Sequence, residues 1–332
     1  MDVPAPPGDD EEGGLAAATV AEPPPAPAVE GEDPLLAAAR AAYEIYYNGV
    51  AAEKDETVAA AIQGALHIFD AAERGDVEKL SMLLSPKMWL CYDVVNWPNP
   101  LGWTPLYAAA VEDHPESIAL LLTSPCIDVN RATPQGYTPL LFAAFTDHPQ
   151  CIAPLLAAPG IDVNQADESG VTPLRAAAEG GHPACIALLL AAPGIAVNQA
   201  DILGQTPLYT AAGNGHHECI ALLLAAPGIA VNQCDVNSYS PLNSAAYNGK
   251  HECLALLLAA PGVDVNLGEA EGWTPLWNAA ACGHHECLAL LLAAPDIDVN
   301  LAPSAGEHMG KTPLAIAEEK GHTQCAELLR AH

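Results

Sequence analysis

The amino-acid sequence predicts an all-α solenoid of stacked helix-turn-helix units, joined by short β-hairpin-like fingers and preceded by a disordered tail. The first observation is a repeated tripeptide, Thr-Pro-Leu or once Ser-Pro-Leu, which begins at residues 104, 138, 172, 206, 240, 274 and 312. Its spacing is 34 residues five times and then 38. The second is composition: 51% of residues are hydrophobic but only 5% are aromatic, so mainly Ala and Leu must fill the core. A fixed period of this size is typical of one supersecondary unit repeated along a stack.

The chain divides into three parts. Residues 1–33 are rich in Pro, Ala, Gly, Asp and Glu, and such a segment buries too little apolar surface to become ordered, so we predict an acidic, disordered tail. Residues 34–66 form a short helical segment, with one helix over 35–47 and a second over 55–66. Residues 67–332 hold the repeats, which are a capping unit at 67–96 and seven further units.

The unit that begins at Thr206 shows how each repeat is built. Thr206 can cap a helix with its hydroxyl, and Pro207 suits the first helical position, where its missing N–H is not needed. Gly215 can adopt the left-handed conformation that ends the helix. Residues 216–226 then place Cys, Ile and Leu on one side of a second helix. The Pro-Gly that follows breaks this helix, and the remaining residues to Asp235 predict an extended finger leading to the next unit.

Thr-Pro-Leu, the double Ala, Gly-His, the paired leucines and the closing Val-Asn together resemble the ankyrin repeat, over residues 67–332. The resemblance implies a stack that holds a partner protein on its concave face. Residues 68–84 match the pattern without Thr-Pro-Leu and resemble the capping repeat expected at the end of a solenoid. The last helix pair is charged, which also resembles a cap.

Several features depart from the family pattern. The period is 34 residues instead of the usual 33, and the usual His after Thr-Pro-Leu is absent. Segments 85–96 and 300–311 each carry about four additional residues, which we expect to enlarge two fingers or loops. Pro154 stands where the other second helices have Leu. An interior Pro removes a hydrogen bond and clashes with the preceding turn, so we predict a kink there.

Cysteine and histidine each recur at a fixed position in six of the units. Neighbouring packed helices lie about 8–10 Å apart, which is too far for a disulfide, so we expect the cysteines to be buried and reduced. Ligands that are repeated one per unit diverge, so no metal site is expected. We expect the histidines at the helix-helix turns to form hydrogen bonds within the fold, as the family resemblance implies. The cysteine ladder comprises Cys151, Cys185, Cys219, Cys253, Cys287 and Cys325, and the histidine series comprises His114, His148, His182, His216, His284 and His322.

Charge and motif content exclude several classes of function. The formal net charge of −30 argues against nucleic-acid binding, which depends on clustered Lys and Arg. No apolar run is long enough to cross a bilayer, and the acidic N-terminus lacks the pattern of a secretory signal, so we expect a cytoplasmic or nuclear protein. No phosphate-binding loop, nucleophile elbow or zinc-protease helix occurs, and we expect no cofactor. We therefore predict a non-catalytic monomer that contacts another protein and no membrane.

In the ankyrin family, partner contacts come from finger tips and from the exposed end of the first helix. The corresponding positions here precede each Thr-Pro-Leu and each Gly-His. Aromatic residues recur there although the chain has only 5 Trp, 9 Tyr and 3 Phe, and such residues commonly anchor interfaces. The predicted partner-binding residues are Trp103, Tyr137, Phe145, Tyr239, Tyr247, Trp273 and Trp277.

The aromatic pattern and the acidity favour a protein-binding scaffold whose partner carries a basic segment. Three of the aromatic residues, Trp103, Trp273 and Trp277, have an alternative role, which is to stack on neighbouring fingers. A second hypothesis is a substrate-recognition adaptor or regulatory subunit of a larger complex such as a ubiquitin ligase, with residues 34–66 contacting the larger machine. A third is a stable rod with no dedicated ligand.

Overall fold

The computed structural model describes residues 56–84 and 94–332. Within these ranges the chain forms sixteen α-helices and one short 3-10 helix at Val94–Asn96, and no residue is in a β-strand. The helices form eight consecutive pairs. In chain order they are α1 (Glu56–Glu73), α2 (Val77–Leu84), α3 (Pro105–Val111), α4 (Pro115–Leu121), α5 (Pro139–Phe145), α6 (Pro149–Leu156), α7 (Pro173–Gly180), α8 (Pro183–Leu190), α9 (Pro207–Asn214), α10 (His217–Leu224), α11 (Pro241–Tyr247), α12 (His251–Leu258), α13 (Pro275–Cys282), α14 (His285–Leu292), α15 (Pro313–Glu319) and α16 (Thr323–Ala331).

The N-terminal end of the stack differs in one respect from the sequence-based prediction. The helix expected over 55–66 does not end at Leu66 but continues as α1 to Glu73, so it is the first helix of the capping unit. The tail at 1–33 and the helix expected over 35–47 lie outside the described residues. Their structure and the division of the chain at residues 33 and 66 stay predictions.

The repeated tripeptide starts each first helix from the second pair onward, as its chemistry predicts. In α9, for example, the Thr206 hydroxyl accepts a hydrogen bond from the Tyr209 N–H at 3.1 Å, and Pro207 occupies the first position. Such a cap satisfies one of the backbone donors that a helix start leaves without a partner. Gly215 ends α9 with a left-handed φ of 91°. The sequence therefore fixes both ends of a helix of only two turns.

The core is a double layer that continues from end to end. Each first helix packs on the first helix of the next pair, and each second helix packs on the next second helix. The Leu of Thr-Pro-Leu is at most 1% exposed in the six units from α3 to α13. Alanines of the first helices and the Cys and Ile or Leu of the second helices fill the space between the layers. Small side chains at these contacts allow helices of different pairs to approach closely.

Asparagines join successive units on the side where each finger begins. The Asn164 side chain donates to the Gly194 carbonyl at 2.8 Å, and its oxygen accepts from the Ala196 N–H at 2.8 Å. Asn130, Asn198, Asn232 and Asn266 make the equivalent pair of contacts one unit apart. The Asn of the recurrent Val-Asn therefore bonds to backbone groups of the next unit. This link does not depend on which side chains the next unit carries.

The fingers are short and hairpin-like, as predicted. In the finger between α8 and α9, the Asp201 N–H donates to the Gln205 carbonyl at 3.2 Å and the Gly204 N–H donates to the Asp201 carbonyl at 2.9 Å. The Asp201 side chain accepts from two further backbone N–H groups of the same turn, which closes it. The segment 300–311 forms an enlarged, non-helical connection, as its additional residues predict.

Pro154 lies inside α6, which has the same eight-residue length as α8. The Ala157 N–H at its C-terminus donates to the Ala153 carbonyl at 3.3 Å, and the equivalent bond at the end of α8 is also 3.3 Å. Pro154 therefore does not shorten the helix, and a kink there stays a prediction. Its ring nitrogen cannot donate to the preceding turn, and it replaces a Leu that packs on the core in the neighbouring units.

We expect Pro154→Leu to raise the melting temperature, because it restores one backbone hydrogen bond and adds apolar burial. The gain in the free energy of unfolding should be about 1–3 kcal/mol, which is several degrees for a chain of this size. Leu188→Pro at the equivalent position of α8 is the matched control and should lower the melting temperature by a similar amount. A melting temperature of Pro154→Leu at or below that of the wild type would contradict this account.

Candidate partner-binding surface

The first helices from α3 onward and the fingers that precede them form one continuous surface, here called the inner face. Aromatic rings are concentrated at two places on it. At the N-terminal end, Trp103 contacts Tyr107 with ring centroids 5.4 Å apart, Tyr107 contacts Phe142 at 5.3 Å, and Phe142 contacts Phe145 at 6.4 Å. Tyr107 is 2% exposed, whereas Phe145 is 51% exposed and Tyr137 is 37% exposed. The buried Tyr107 ring thus supports two half-buried rings, and the exposed Phe145 ring packs on one of these, Phe142.

The second aromatic cluster lies at the C-terminal end. Trp273 stacks on Trp277 with centroids 5.1 Å apart and an interplanar angle of 17°. His308, from the enlarged segment 300–311, contacts Trp277 at 5.4 Å. Trp277 is only 3% exposed, and its indole N–H donates to the Lys311 carbonyl at 3.0 Å. Trp277 is therefore packed in the core, where the enlarged segment adds to its cover, and a role for it in partner contact stays a prediction.

Tyr239 and Tyr247 lie between these clusters, near the two ends of α11. Tyr247 is 50% exposed. Tyr239 is half-buried, and burial, with the nearby Glu269 carboxylate as the next cause, raises the pKa of its phenol to about 12. The phenol therefore stays neutral at physiological pH and can donate a hydrogen bond. Trp103 and Trp273 are also half-buried, so they offer a partner only part of each ring.

The middle of the inner face carries a buried cation. Arg175, the residue after Thr-Pro-Leu in α7, is 6% exposed. Its guanidinium donates to the Asp201 carboxylate at 3.0 Å and to the Glu179 carboxylate at 2.8 Å. The sequence-based prediction missed this group, although Arg175 is the one charged residue among the seven that follow the tripeptide. Its partner Asp201 lies in the next finger, and only the fold shows that the two meet.

Comparison with known proteins agrees with this architecture. The family model described as ankyrin repeats (3 copies) matches residues 66–167, 125–201, 156–238, 174–269 and 242–332. The chain belongs to the ankyrin-repeat family. Among solved structures it is similar to the ankyrin repeat domain of Bcl-3, which is described as a unique member of the IkappaB protein family. That match has a TM-score of 0.60 and 25% sequence identity, and covers 68% of this chain and 98% of that chain. No curated protein sequence matches the chain.

Ankyrin repeats bind other proteins and are typically non-catalytic interaction modules. The inner face agrees with such a role, since it presents aromatic rings and carboxylates on a continuous surface. Within residues 56–84 and 94–332, no helix combines the length and the apolar character needed to cross a bilayer. In the same ranges, no group of three or more His, Cys, Asp or Glu side chains is placed to hold a metal ion.

The histidines at the ankyrin helix-helix turns act within the fold, as predicted. His182 Nε2 donates to the Phe145 carbonyl at 3.1 Å, and His216 Nε2 donates to the Glu179 carbonyl at 3.0 Å. His284 makes the same contact to the Tyr247 carbonyl. Each such histidine therefore donates to a carbonyl near the C-terminus of the preceding first helix, where backbone carbonyls have no partner within the helix. These contacts also hold the aromatic ends of α5 and α11 in place.

The six cysteines of the ladder are buried and free, as predicted. Burial raises the pKa of Cys185 to about 12 and that of Cys219 to about 11, with nearby carboxylates adding to the effect. In the second and third units, the Gly at the turn is replaced by Asp113 or Asp147, whose carboxylate accepts from the thiol of Cys151 or Cys185. The thiols are therefore held in their protonated, unreactive form.

We expect iodoacetamide to modify the exposed Cys126 in the native protein and to spare the ladder, since a raised pKa lowers the thiolate fraction at neutral pH. Mass spectrometry of peptides after native labelling would measure the modified fraction at each site. The same labelling in denaturant is the control and should modify every cysteine. Rapid native modification of Cys219 or Cys253 would show that the second helices open far more readily than their burial indicates.

Proposed function

We propose that this chain is a non-catalytic scaffold that holds a partner protein on its concave inner face. The observation that carries the proposal is the exposure of aromatic rings that the fold does not need, above all Phe145 at 51% and Tyr247 at 50%. Rings of this type bury a large area at small entropic cost and are common anchors of interfaces. Of the predicted contacts, Trp103, Tyr137, Tyr239 and Trp273 accompany them on the same face.

The partner is proposed to carry a basic segment. Carboxylates border the inner face at Asp167, Glu179, Asp235 and Glu269, while Arg175 is already paired with two of its neighbours. The formal net charge of −30 adds a long-range field that attracts a cation-rich surface. We expect this chain to act as a monomer and to meet its partner in the cytoplasm or the nucleus.

The separation of the anchors sets the size of the bound segment. Tyr137 and Trp273 are four units apart, and adjacent helices lie about 8–10 Å from each other, so the anchors are about 32–40 Å apart. An extended peptide advances about 3.3 Å per residue, so about 10–12 residues span that distance. A helix would need roughly 21–27 residues at 1.5 Å each. An extended segment therefore spans the anchors on the inner face with about half as many residues as a helix would need.

We expect Tyr239→Ala/Tyr247→Ala to lose the partners that the wild-type chain retains in affinity purification from cells, because each ring is an anchor and the fold does not depend on it. Met82→Ala/Glu252→Ala, which removes exposed side chains from second helices, is the matched control and should retain them. Circular dichroism would verify that both variants fold. An unchanged partner set for the folded tyrosine variant would exclude the inner face as the binding site.

The adaptor hypothesis predicts an additional contact outside the inner face. Because α1 begins at Glu56, a chain that lacks residues 1–55 retains every described helix. In the same purification, loss of one group of proteins from this truncated chain would support an adaptor role, and retention of all of them would favour a simple scaffold.

A further inference from the structure

A cavity of about 220 Å³ opens on the inner face between the third and fourth helix pairs. Three aromatic rings, Tyr137, Phe142 and Phe145, and two carboxylates, Asp167 and Glu179, are among its walls, and no Lys or Arg lines it. Pockets for drug-sized molecules usually measure about 300–1,000 Å³. This cavity is smaller than that range, so its size suits a single side chain. The exposed rings of Phe145 and Tyr137 leave it open to a partner.

The carboxylates of the cavity are incompletely neutralised. Asp167 accepts hydrogen bonds from the backbone N–H groups of Ser169 and Val171, and forms no ion pair with a described residue. Glu179 contacts Arg175, but that single guanidinium is shared with Asp201. Three carboxylates therefore face one cation in this part of the inner face. A cationic side chain entering the cavity would meet both a negative potential and the π-faces of the rings, two attractions of the same sign.

The orientation of the rings distinguishes between the two basic side chains. Phe142 and Phe145 are inclined at 57° with centroids 6.4 Å apart, so they form a corner and not a flat platform. A compact ammonium group can approach two ring faces at such a corner, whereas a planar guanidinium stacks best on one flat face. We propose that this cavity binds a lysine side chain of the partner segment. The proposal rests on the scaffold function proposed above and names the residue that the third and fourth helix pairs recognise.

Three small probes test the cavity directly on the full-length chain. N-acetyl-lysine amide, N-acetyl-arginine amide and N-acetyl-norleucine amide share a backbone and differ in the charge and shape of the side chain. We expect the lysine probe to shift the NMR resonances of Tyr137 and Phe145 and to bind about tenfold more tightly than norleucine, as one or two cation–π contacts and a carboxylate would provide. Equal binding of lysine and norleucine, tighter binding of arginine, or no shift with the lysine probe would overturn the proposal.

Variants separate this proposal from the scaffold function. Asp167→Asn/Glu179→Gln retains the shape and the hydrogen-bonding oxygens but removes two charges, so the lysine preference over norleucine should fall to about threefold or less. Phe145→Leu, at an exposed ring, should weaken the lysine probe more than the norleucine probe. If the charge variant retains the full preference for lysine over norleucine, the two carboxylates do not contribute to binding of the ammonium group, and the proposal fails. Should Tyr239→Ala/Tyr247→Ala still lose partners in that case, the scaffold function stands without the lysine site.

Discussion

Arg175→Met should destabilise the protein by about 3–5 kcal/mol, because it leaves a buried carboxylate without its cation. The Arg175 and Asp201 side chains are 8% and 4% exposed, and their atoms are 3.0 Å apart. Water cannot replace the lost guanidinium at such depth, so the desolvation of Asp201 is no longer offset. The midpoint of chemical denaturation, followed by circular dichroism, measures the loss.

The double variant Arg175→Met/Asp201→Asn distinguishes the unpaired charge from lost packing. Asn at position 201 can still accept from the Leu203 and Gln205 N–H groups through its oxygen, each at 2.9 Å, so the finger turn is retained. Replacing a buried ion pair by neutral groups is often close to neutral in stability, so the double variant should recover most of the loss. A double variant as unstable as Arg175→Met would show that the side-chain stem, and not the ion pair, stabilises this region.

The position of the pair in the stack increases its effect. Arg175 lies in α7, and Asp201 lies in the finger that leads to α9, so their contact joins the fourth helix pair to the start of the fifth. In a solenoid each unit contacts only its neighbours, and the stability of the whole depends on these nearest-neighbour interfaces. Weakening a central interface can therefore uncouple the two halves, and we expect the unfolding transition of Arg175→Met to be broader than that of the wild type.

The parts of the fold that could be predicted from the sequence are those set by local chemistry. Thr206 and Pro207 fix a helix start through groups three residues apart, and Gly215 fixes its end, so one unit can be derived from its own residues. Regular repetition then places Cys185 and its equivalents in one row, because a residue at a fixed position of each unit has the same environment. This is why the burial and reduced state of the ladder could be predicted.

Contacts between units could not be predicted in the same way, because they depend on which residues differ from one unit to the next. Arg175 and Asp201 are separated by 26 positions, and Trp277 is covered by a loop that has no counterpart in the other described units. Tyr107 and Asn243, at the same position of other units, are also buried, so the burial of Trp277 follows from its place in the unit and the segment 300–311 adds to it. Three of the seven predicted contacts, Tyr137, Phe145 and Tyr247, are the exposed rings on which the proposed site depends.

Gly204→Ala should destabilise the protein by about 1–3 kcal/mol more than Gly194→Ala, although both glycines have similar backbone conformations. Their φ angles are 75° and 79°, so alanine costs each about 1–2 kcal/mol of left-handed strain. A Cβ at Gly194 would have no atom within 4 Å. A Cβ at Gly204 would lie 2.8 Å from the backbone nitrogen of Val236 in the next finger, which cannot move like a flexible side chain. Because the backbone strain is similar at both positions, the difference between the two denaturation midpoints measures the cost of disturbing the contact between neighbouring fingers.

The chain itself contains a position that shows why stacking requires glycine. Ser238, one period after Gly204, adopts a φ of 69° without being glycine. Where glycine is present, the Val236 N–H donates to the Leu203 carbonyl at 2.9 Å, and this bond joins two fingers. After Ser238, no backbone hydrogen bond links the described residues Asn237 and Ala270 in the equivalent way. At position 238, where the residue carries a Cβ, the bond between fingers is therefore absent. We expect Gly204→Ala to lose the bond between Leu203 and Val236 in the same way. Slower hydrogen exchange at the Val236 amide in Gly204→Ala than in Gly194→Ala would contradict this account, because a lost bond must leave that amide less protected.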